Sequence, residues 1–204
     1  MSGAVLVLSG PSGAGKSTII SNSLDRIGDF HFSISTTSRE PRKGERDGVE
    51  YYFVSKEEFE EGIKRGDFLE YATVHGNYYG TSIAPVRDAL SSGKLVIFDI
   101  DVQGHRLVRD SIGDLVTSIF ITPPTLKELK RRLYSRSSDR DDVIEKRLEN
   151  AKSEIRAVGE FDFVIINDEI DIAVEQFITI AKASRLKFSK EDLEQLISRW
   201  ENGI

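Results

Sequence analysis

The stretch AVLVLSGPSGAGKST, residues 4–18, decides how this chain folds. Its first part, AVLVLS, is an almost continuous apolar run, which is typical of a strand buried on both faces of a sheet. The turn behind it fits G-x-x-x-x-G-K-[ST] from Gly10 to Ser17 without deviation, and a helical pattern follows. We therefore predict a phosphate-binding P-loop between a buried strand and a helix.

The residue types of this loop suit a phosphate group. Its glycines let the backbone curl, so that successive N–H groups and the positive end of the helix dipole face one anion. Lys16 can then reach the β- and γ-phosphates of a nucleotide, and the hydroxyl of Ser17 can meet Mg²⁺. The predicted nucleotide loop comprises Gly10, Ser12, Gly13, Ala14, Gly15, Lys16, Ser17 and Thr18.

The rest of the chain favours one α/β domain with a mostly parallel sheet flanked by helices. Its 204 residues suffice for one such domain with small inserted parts. Further buried strands are predicted at 95–101, 118–122 and 163–168, and helical patterns at 126–133 and 143–155. Because strands alternate with helices, we expect a P-loop NTPase-type fold in three layers.

Two regions break this alternation. Residues 33–82 are rich in glycine and tyrosine, which indicates short, partly antiparallel strands. Residues 124–160 are helical and densely charged, as in a solvated arm that can close as a lid. The predicted parts are a core of residues 1–34, 83–123 and 161–204, an insertion at 35–82, and a lid at 124–160.

The C-terminal segment SKEDLEQLISRW predicts a helix that Ser189 caps. Leu193, Leu196, Ile197 and Trp200 fall on one face of it. We expect this face to pack on the core, with a contact between two copies as the alternative. The sequence therefore leaves a homo-oligomer open.

Composition argues against several classes of protein. The chain has 28 basic and 34 acidic residues, a net charge of -6, which argues against a nucleic-acid binder. It has no cysteine, which excludes disulfides and thiolate sites, and three scattered histidines, which argue against a zinc site. No apolar run approaches the length of a membrane span, and the first residues carry no basic leader. We expect a soluble cytoplasmic protein with no membrane partner.

Several charged side chains could serve a phosphate reaction. Asp99 and Asp101 end a predicted strand, so both can point to the sheet edge where the P-loop lies. Glu70 lies in an apolar and aromatic segment, where its carboxylate could accept two parallel N–H groups such as guanine offers. Each of these carboxylates could alternatively be a solvated surface group.

Arginines supply the complementary charge. Arg39 and Arg42 follow the hydroxyl residues 35–38 and precede Tyr51, a group suited to a second phosphate. The charged arm could bring further arginines to a transferred phosphoryl group, although its charges would also suit an ordinary solvated helix. Its candidates are Arg132, Arg136, Arg140 and Arg147.

Taken in order over residues 3–182, these segments resemble the guanylate kinase family, whose members transfer a phosphoryl group from ATP to GMP. The resemblance depends on the order and spacing of several pieces. They are GPSGAGKST, S-x-x-x-R-x-P-R followed by GE and DGVEYYFVS, FLEYATVHGNYYGTS, VIFDIDVQG, IFITPP, the arginine-rich arm and IIND.

The resemblance implies a GMP site in the insertion. The residues matching those that hold the GMP phosphate are Arg39, Arg42, Tyr51 and Tyr79. The residues matching those that read guanine are Ser35, Glu70 and Thr81, with Asp99 and Asp101 beside the nucleotide. The family commonly has T-T-R where this chain has Thr37-Ser38-Arg39, so a hydroxyl is retained at position 38.

The resemblance also implies the ATP side and the catalytic charges. Asn167 and Asp168 match the segment beside the adenine of ATP. The implied catalytic set is Lys16, Arg42, Arg136 and Arg147, with Arg132 as a neighbour. The implied cofactor is Mg²⁺ bound with ATP, and its candidate ligands are Ser17 and Asp99.

Three other functions remain to be compared with this one. A kinase of the same fold could use a phosphorylated ribose, but Ser35, Glu70 and the paired tyrosines favour a purine monophosphate. A non-catalytic domain that resembles guanylate kinase would usually carry a degraded P-loop, whereas this one is intact. A GTPase would need an N-K-x-D segment to read guanine, and the sequence contains none.

Removing the positive charge at the transferred phosphate should slow the reaction strongly. We expect Lys16→Ala or Arg136→Ala to lower kcat for phosphoryl transfer from ATP to GMP by about 100-fold or more. Steady-state kinetics measures this, with Lys146→Ala as a control for loss of a lid cation that has no assigned role. A kcat near that of the unaltered chain for either variant would remove that residue from the catalytic set.

Overall fold

A five-stranded parallel sheet lies at the centre of the protein, in a computed structural model that describes residues 3–42, 44–74, 76–135 and 140–203. Every neighbouring pair in the sheet is parallel. In spatial order the strands are β2 (Phe30–Ser33), β7 (Leu95–Asp99), β1 (Ala4–Ser9), β8 (Val116–Thr122) and β9 (Phe163–Ile166). The predicted α/β class with a mostly parallel sheet is confirmed.

A second, smaller sheet forms within the glycine- and tyrosine-rich region. In spatial order its strands are β4 (Tyr52–Phe53), β3 (Thr36–Thr37), β6 (Asn77–Ser82) and β5 (Phe68–Val74). The β3–β4 pair is parallel, whereas β3–β6 and β5–β6 are antiparallel. The short, partly antiparallel strands predicted here are therefore present.

Helices accompany the two sheets, and several of them cover the faces of the central sheet. They are α1 (Lys16–Ser21), α2 (Lys56–Arg65), α3 (Ile83–Ser91), α4 (Val102–Ile112), α5 (Leu126–Ser135), α6 (Asp141–Glu154), α7 (Ile170–Ser184) and α8 (Lys190–Asn202). Alternate residues of β1 contact helices on opposite faces of the sheet, because successive side chains of a strand point to opposite faces. Leu6 and Leu8 pack towards α1 and α7, whereas Val5 and Val7 pack towards α3 and α4.

Helix α1 is shorter than its sequence pattern suggests. The pattern extends to Gly28, but the helix ends at Ser21 and a 3₁₀ turn at Leu24–Arg26 follows. The amide of Asn22 donates to the carbonyl of Thr18, and the hydroxyl of Ser23 donates to the carbonyl of Ile19. These side chains occupy carbonyl groups near the end of the helix, which favours its early termination.

Helices α5 and α6 form a hairpin with its own small core. Buried Leu129 and Leu133 of α5 pack against Ile144, Leu148 and Ala151 of α6. The spacing of these residues places them on one side of each helix, so the opposite sides are left to charged residues. Residues 136–139 between the helices, Arg136 among them, lie outside the described residues.

The C-terminal helix α8 does not pack on the core. Every residue from 193 to 203 is exposed, and Trp200 is 85% exposed. Ser189 caps the helix as expected, since its hydroxyl accepts from the backbone N–H of Asp192. The expectation that its apolar face lies against the core is therefore wrong, because the core clusters of the described residues extend no further than Ala181 of α7.

No helix in the described ranges is both long enough and apolar enough to cross a membrane.

The smaller sheet depends on one buried aromatic ring. Phe59 of α2 is fully buried, and its ring stacks on Phe68 at 4.2 Å and on Tyr78 at 5.1 Å between centroids. Phe59→Ala should lower the free energy of unfolding by about 3–5 kcal/mol, because it removes these contacts and leaves a cavity. Denaturant titration measures the loss. Phe163→Ala, at a ring that is 45% exposed on β9, is the matched control and should cost much less.

Candidate active site

The loop between β1 and α1 has a backbone that only glycine can supply. Gly10, Gly13 and Gly15 have φ angles of 133°, 91° and 96°, in the region that disfavours residues with a Cβ atom. A Cβ on Gly10 would also clash with the carbonyl oxygen of Ile121 on β8. The loop therefore wraps tightly at the carboxyl edge of the sheet, as a phosphate cradle requires.

Lys16 is the first residue of α1, and its side chain returns to the start of this loop. Its ammonium donates to the carbonyl of Gly10 at 2.6 Å and lies 3.7 Å from a carboxylate oxygen of Asp99. Asp99 ends β7 opposite Leu8 of β1, so parallel pairing carries the carboxylate to the loop. Burial raises the pKa of Asp99 above its ordinary value, and the nearby ammonium only partly opposes this shift.

Asn167, which follows β9, binds the backbone of the loop. Its side-chain amide donates to the carbonyl of Ala14 at 2.8 Å, and the residue is only 4% exposed. A Cβ on Gly15 would clash with this amide. The guanidinium of Arg132 on α5 donates to the backbone carbonyl of Asn167 at 2.8 Å. Asp168 is exposed beside this group.

A cavity of about 300 Å³ lies between the P-loop edge and the smaller sheet. Its walls bring together most of the residues expected to contact a second nucleotide. They are Ser35, Tyr51, Glu70, Ala72, Tyr79, Gly80, Asp99, Ile100, Asp101 and Gly104. Asp101 also caps α4, because one of its carboxylate oxygens accepts from the N–H of Gly104 at 2.8 Å.

Glu70 holds a half-buried carboxylate on the wall of this cavity. It accepts a hydrogen bond of 2.7 Å from the hydroxyl of Thr81, which is fully buried. Burial raises the pKa of Glu70, and the negative charge of Asp101 shifts the pKa in the same direction. The bond from Thr81 lowers the pKa but does not cancel these effects. The free protein therefore carries an acceptor with unmet hydrogen-bonding capacity at this position.

Arg39 does not line the cavity itself but lies beside two tyrosines that do. Its guanidinium is 5.5 Å from the ring centre of Tyr51, whose ring meets that of Tyr79 edge to face at 5.9 Å. Burial raises the pKa of Tyr51, which keeps its hydroxyl protonated as a donor. The Arg39 side chain itself is 13% exposed.

Sequence reasoning missed Glu45 as a partner in this group. One nitrogen of Arg39 donates to both carboxylate oxygens of Glu45 at 2.9 Å, and the backbone N–H of Arg42 donates to the same group at 2.7 Å. The GE pair behind the arginines was the available signal, but it carried no assigned role. The Arg42 side chain is exposed.

The α5–α6 hairpin approaches the P-loop through Arg147. Its guanidinium donates to the hydroxyl of Ser12 at 3.2 Å. Arg132 is held on α5 by Glu128, whose pKa is lowered to about 2 by bonds from Arg131 and Arg132. Arg140 is exposed and pairs with Asp142 at 3.0 Å, away from the other arginines.

Glu154, at the end of α6, is a second residue that sequence reasoning missed. Its Oε2 atom is buried and has no hydrogen-bond partner among the described residues. Burial raises the pKa of Glu154, the charge of Lys16 lowers it and the charge of Asp101 raises it. The carboxylate therefore lies within electrostatic reach of the P-loop. Glu154 is one of many charged residues in a helical segment, so its neighbours in the sequence do not indicate a role in the site.

The oxygen donors near the P-loop fit a Mg²⁺ ion that is shared with a nucleotide. Ser17 is exposed in the first turn of α1, and Asp99 ends β7 at the same sheet edge. Mg²⁺ commonly takes one or two protein oxygens together with phosphate oxygens and water. No group of three or more potential metal-binding side chains occurs in the described part of the chain. The available donors thus suit a nucleotide-bound ion rather than a site built wholly from protein groups.

The half-buried Glu70 should make folding stability depend on pH. Because its pKa is higher in the fold than its ordinary 4.5, the fold binds this proton more tightly than the unfolded chain. Its contribution to the free energy of unfolding is therefore lost as pH rises from 4.5 through the raised pKa. Glu70→Gln should remove this loss and stabilise the ligand-free protein near neutral pH.

Denaturant titrations over a series of pH values measure this effect. Glu57→Gln, at an exposed carboxylate in the first turn of α2, is the matched control and should leave the pH dependence unchanged. Equal pH dependence in Glu70→Gln and the unaltered chain would show that burial of this carboxylate costs no stability.

Comparisons with known proteins agree on one family. The family model described as Guanylate kinase matches residues 2–184. A guanylate kinase of Sulfurimonas denitrificans is 56% identical over 200 residues, covering 98% of this chain and 97% of the relative. A guanylate kinase of Wolinella succinogenes is 49% identical over 200 residues, covering 98% and 93%.

A solved structure gives the same result for the fold. The crystal structure of guanylate kinase from Anaplasma phagocytophilum superposes with a TM-score of 0.72 at 33% identity, covering 91% of this chain and 88% of that one. The family match spans both sheets, the P-loop and the arginine-rich hairpin. On these grounds the chain belongs to the guanylate kinase family.

Proposed function

We propose that this protein transfers the γ-phosphoryl group of ATP to GMP or dGMP, giving ADP and the corresponding diphosphate. The observation that carries the proposal is the cavity beside the P-loop, which half-buried Glu70 and two tyrosines line, with Arg39 next to the tyrosines. The side of Glu70 suits a base and the side of the tyrosines suits a phosphate, and Asp99 borders both the cavity and Lys16.

Glu70 explains the choice of guanine. Guanine presents N1–H and its 2-amino group side by side, so both can donate to one carboxylate, whereas adenine has no such pair. The hydroxyl of Thr81 meets only one of the carboxylate oxygens. Binding of guanine therefore adds two charge-assisted hydrogen bonds to a half-buried acceptor. Ser35, on the cavity wall, is assigned to the same base.

Arg39 and the two tyrosines are assigned to the GMP phosphate. A phosphate offers charged oxygens to the guanidinium that now bonds to Glu45, and the tyrosine hydroxyls donate to the remaining oxygens. Arg42 is exposed three residues further along the same loop and is assigned to the position between acceptor and donor. The phosphate of GMP is thereby held with its oxygens towards the P-loop.

Catalysis then consists of positioning and charge neutralisation. Lys16 exchanges the carbonyl of Gly10 for the β- and γ-phosphates, while Arg42, Arg136 and Arg147 neutralise the charge on the transferred group. When bound with ATP between Ser17 and Asp99, Mg²⁺ supplies further charge neutralisation on the phosphates. The reaction needs no covalent intermediate on the protein.

The three parts of the chain receive separate tasks in this proposal. Residues 35–82 bind GMP, residues 124–160 close as a lid that excludes water, and the remaining residues form the ATP-binding core with Asn167 and Asp168 near adenine. Contact between Arg147 and Ser12 supports a lid that already lies near the P-loop. The expected location is the cytoplasm, where both nucleotides are made and used.

A coupled assay of ADP release tests the substrate assignment. With ATP and Mg²⁺, we expect turnover with GMP and dGMP and little with AMP, UMP or CMP. Glu70→Gln should lower kcat/KM for GMP by about 10- to 100-fold, because an amide cannot accept both N–H groups. Glu57→Gln should have no effect.

The variants separate the parts of this proposal. No turnover of GMP by the unaltered chain would refute the kinase assignment. Full GMP activity in Glu70→Gln would instead refute only the role of that residue in reading the base.

A further inference from the structure

Glu128, in the first turn of α5, binds two arginines that differ in their surroundings. Its carboxylate accepts one bond of 2.7 Å from Arg132 and two bonds of 2.7 Å from Arg131. The side chain of Arg131 is 69% exposed, whereas those of Glu128 and Arg132 are each 21% exposed. Of these two ion pairs, the one with Arg132 is therefore the one that is largely shielded from water.

Arg132 in turn binds the backbone of Asn167. Its guanidinium donates to the carbonyl of Asn167 at 2.8 Å. Two further groups of Asn167 are also bound, because its N–H donates to the carbonyl of Thr122 at 2.8 Å and its side-chain amide donates to the carbonyl of Ala14 at 2.8 Å. Three segments thus hold this residue, namely α5, the end of β8 and the P-loop.

The bond to Ala14 fixes the orientation of one peptide group in the P-loop. A trans peptide is planar, so its carbonyl and its N–H point in opposite directions. Because the carbonyl of Ala14 points at the side chain of Asn167, the N–H of Gly15 points away from that side chain. Backbone N–H groups of such a loop are the groups that bind phosphate. The position of Asn167 therefore keeps one of these donors turned towards an anion in the loop.

We propose that Glu128 is a positioning residue for the phosphates of ATP, and that it acts on the P-loop through Arg132 and Asn167. The inference rests on the proposed function and deepens it on the ATP side. Without the carboxylate, Nε of Arg132 loses its acceptor and the side chain regains rotamer freedom, so its bond to Asn167 weakens. Binding of ATP must then order the peptide between Ala14 and Gly15, which lowers the affinity.

Helix α5 has a separate attachment to the same loop. A Cβ on Gly13 would meet the side chains of Leu129 and Leu133, and both of these leucines are buried. This apolar contact does not depend on Glu128. Removal of the carboxylate should therefore release Arg132 without displacing the helix.

Binding of adenylyl imidodiphosphate, an ATP analogue that is not hydrolysed, tests the proposal. In calorimetric titrations with Mg²⁺, Glu128→Ala should raise the Kd of the analogue by about fivefold to tenfold. The KM for ATP should rise by a similar factor, whereas the KM for GMP should change by less than about twofold. Glu128→Gln retains one acceptor oxygen for Arg132 and should recover part of the affinity. A general loss of structure would instead raise both KM values.

Two variants of the same hairpin are matched controls. Arg131→Ala removes the exposed partner of Glu128 and leaves the pair with Arg132 in place. Glu145→Ala breaks the exposed ion pair with Lys130, whose atoms are 3.5 Å apart. Both variants should bind the analogue as the unaltered chain does. An equal rise in Kd for Arg131→Ala and Glu128→Ala would contradict the proposal, because the contact with Arg132 remains in the first variant.

Double variants test the path from the carboxylate to the loop. In a chain that already carries Arg132→Ala or Asn167→Ala, adding Glu128→Ala should give no further rise in Kd. A further rise with Arg132→Ala would show that Glu128 acts by another route. A further rise with Asn167→Ala would show that Arg132 acts on the nucleotide directly. Either result would overturn the proposal, and the Arg132 comparison decides alone if Asn167→Ala fails to fold.

Failure of the proposed function would look different. If the unaltered chain does not transfer phosphoryl groups from ATP to GMP, the kinase assignment is wrong. If the unaltered chain is active and Glu128→Ala binds the analogue with an unchanged Kd, the assignment stands and only the role of Glu128 is refuted.

Discussion

The shape of one loop, between β1 and α1, sets the positions of the other groups in the site. Gly10 passes against the carbonyl of Ile121, and Gly15 passes against the amide of Asn167, so neither position has room for a side chain. Asn167 in turn connects this loop to Arg132 on the α5–α6 hairpin. Three parts of the chain therefore share a single tightly packed turn, and a change in its backbone would shift all of them.

Three carboxylates around this loop are partly withdrawn from water, although they come from β7, the smaller sheet and α6. Burial raises the pKa of Glu70, Asp99 and Glu154, which means that each is less stable as an anion here than in solution. Such groups are common at functional sites, where a ligand supplies the missing partners. In the free protein these anions lack part of the stabilisation that water would give them. A ligand that donates hydrogen bonds to them restores this free energy.

The parts that sequence could predict are those with a strong local pattern. Buried parallel strands such as β1 and β8 show continuous apolar runs, and the glycines of the P-loop leave few alternatives. The edge strand β2 was missed, because its four residues are half-buried and include a histidine and a serine. Packing decides the rest. Glu45 and Glu154 matter through contacts with distant segments, and the sequence of α8 does not reveal that the core leaves its apolar face uncovered.

The carboxylate of Glu45 already occupies the guanidinium of Arg39, which we propose as a ligand of the GMP phosphate. In the free protein the guanidinium is already neutralised by a carboxylate that bonds through both oxygens and is further fixed by Arg42. An incoming anion must displace this internal counterion, which a singly charged ion such as chloride does poorly and a doubly charged phosphate monoester does well. The pair therefore favours a doubly charged phosphate over a monovalent anion at the position that we propose for the GMP phosphate.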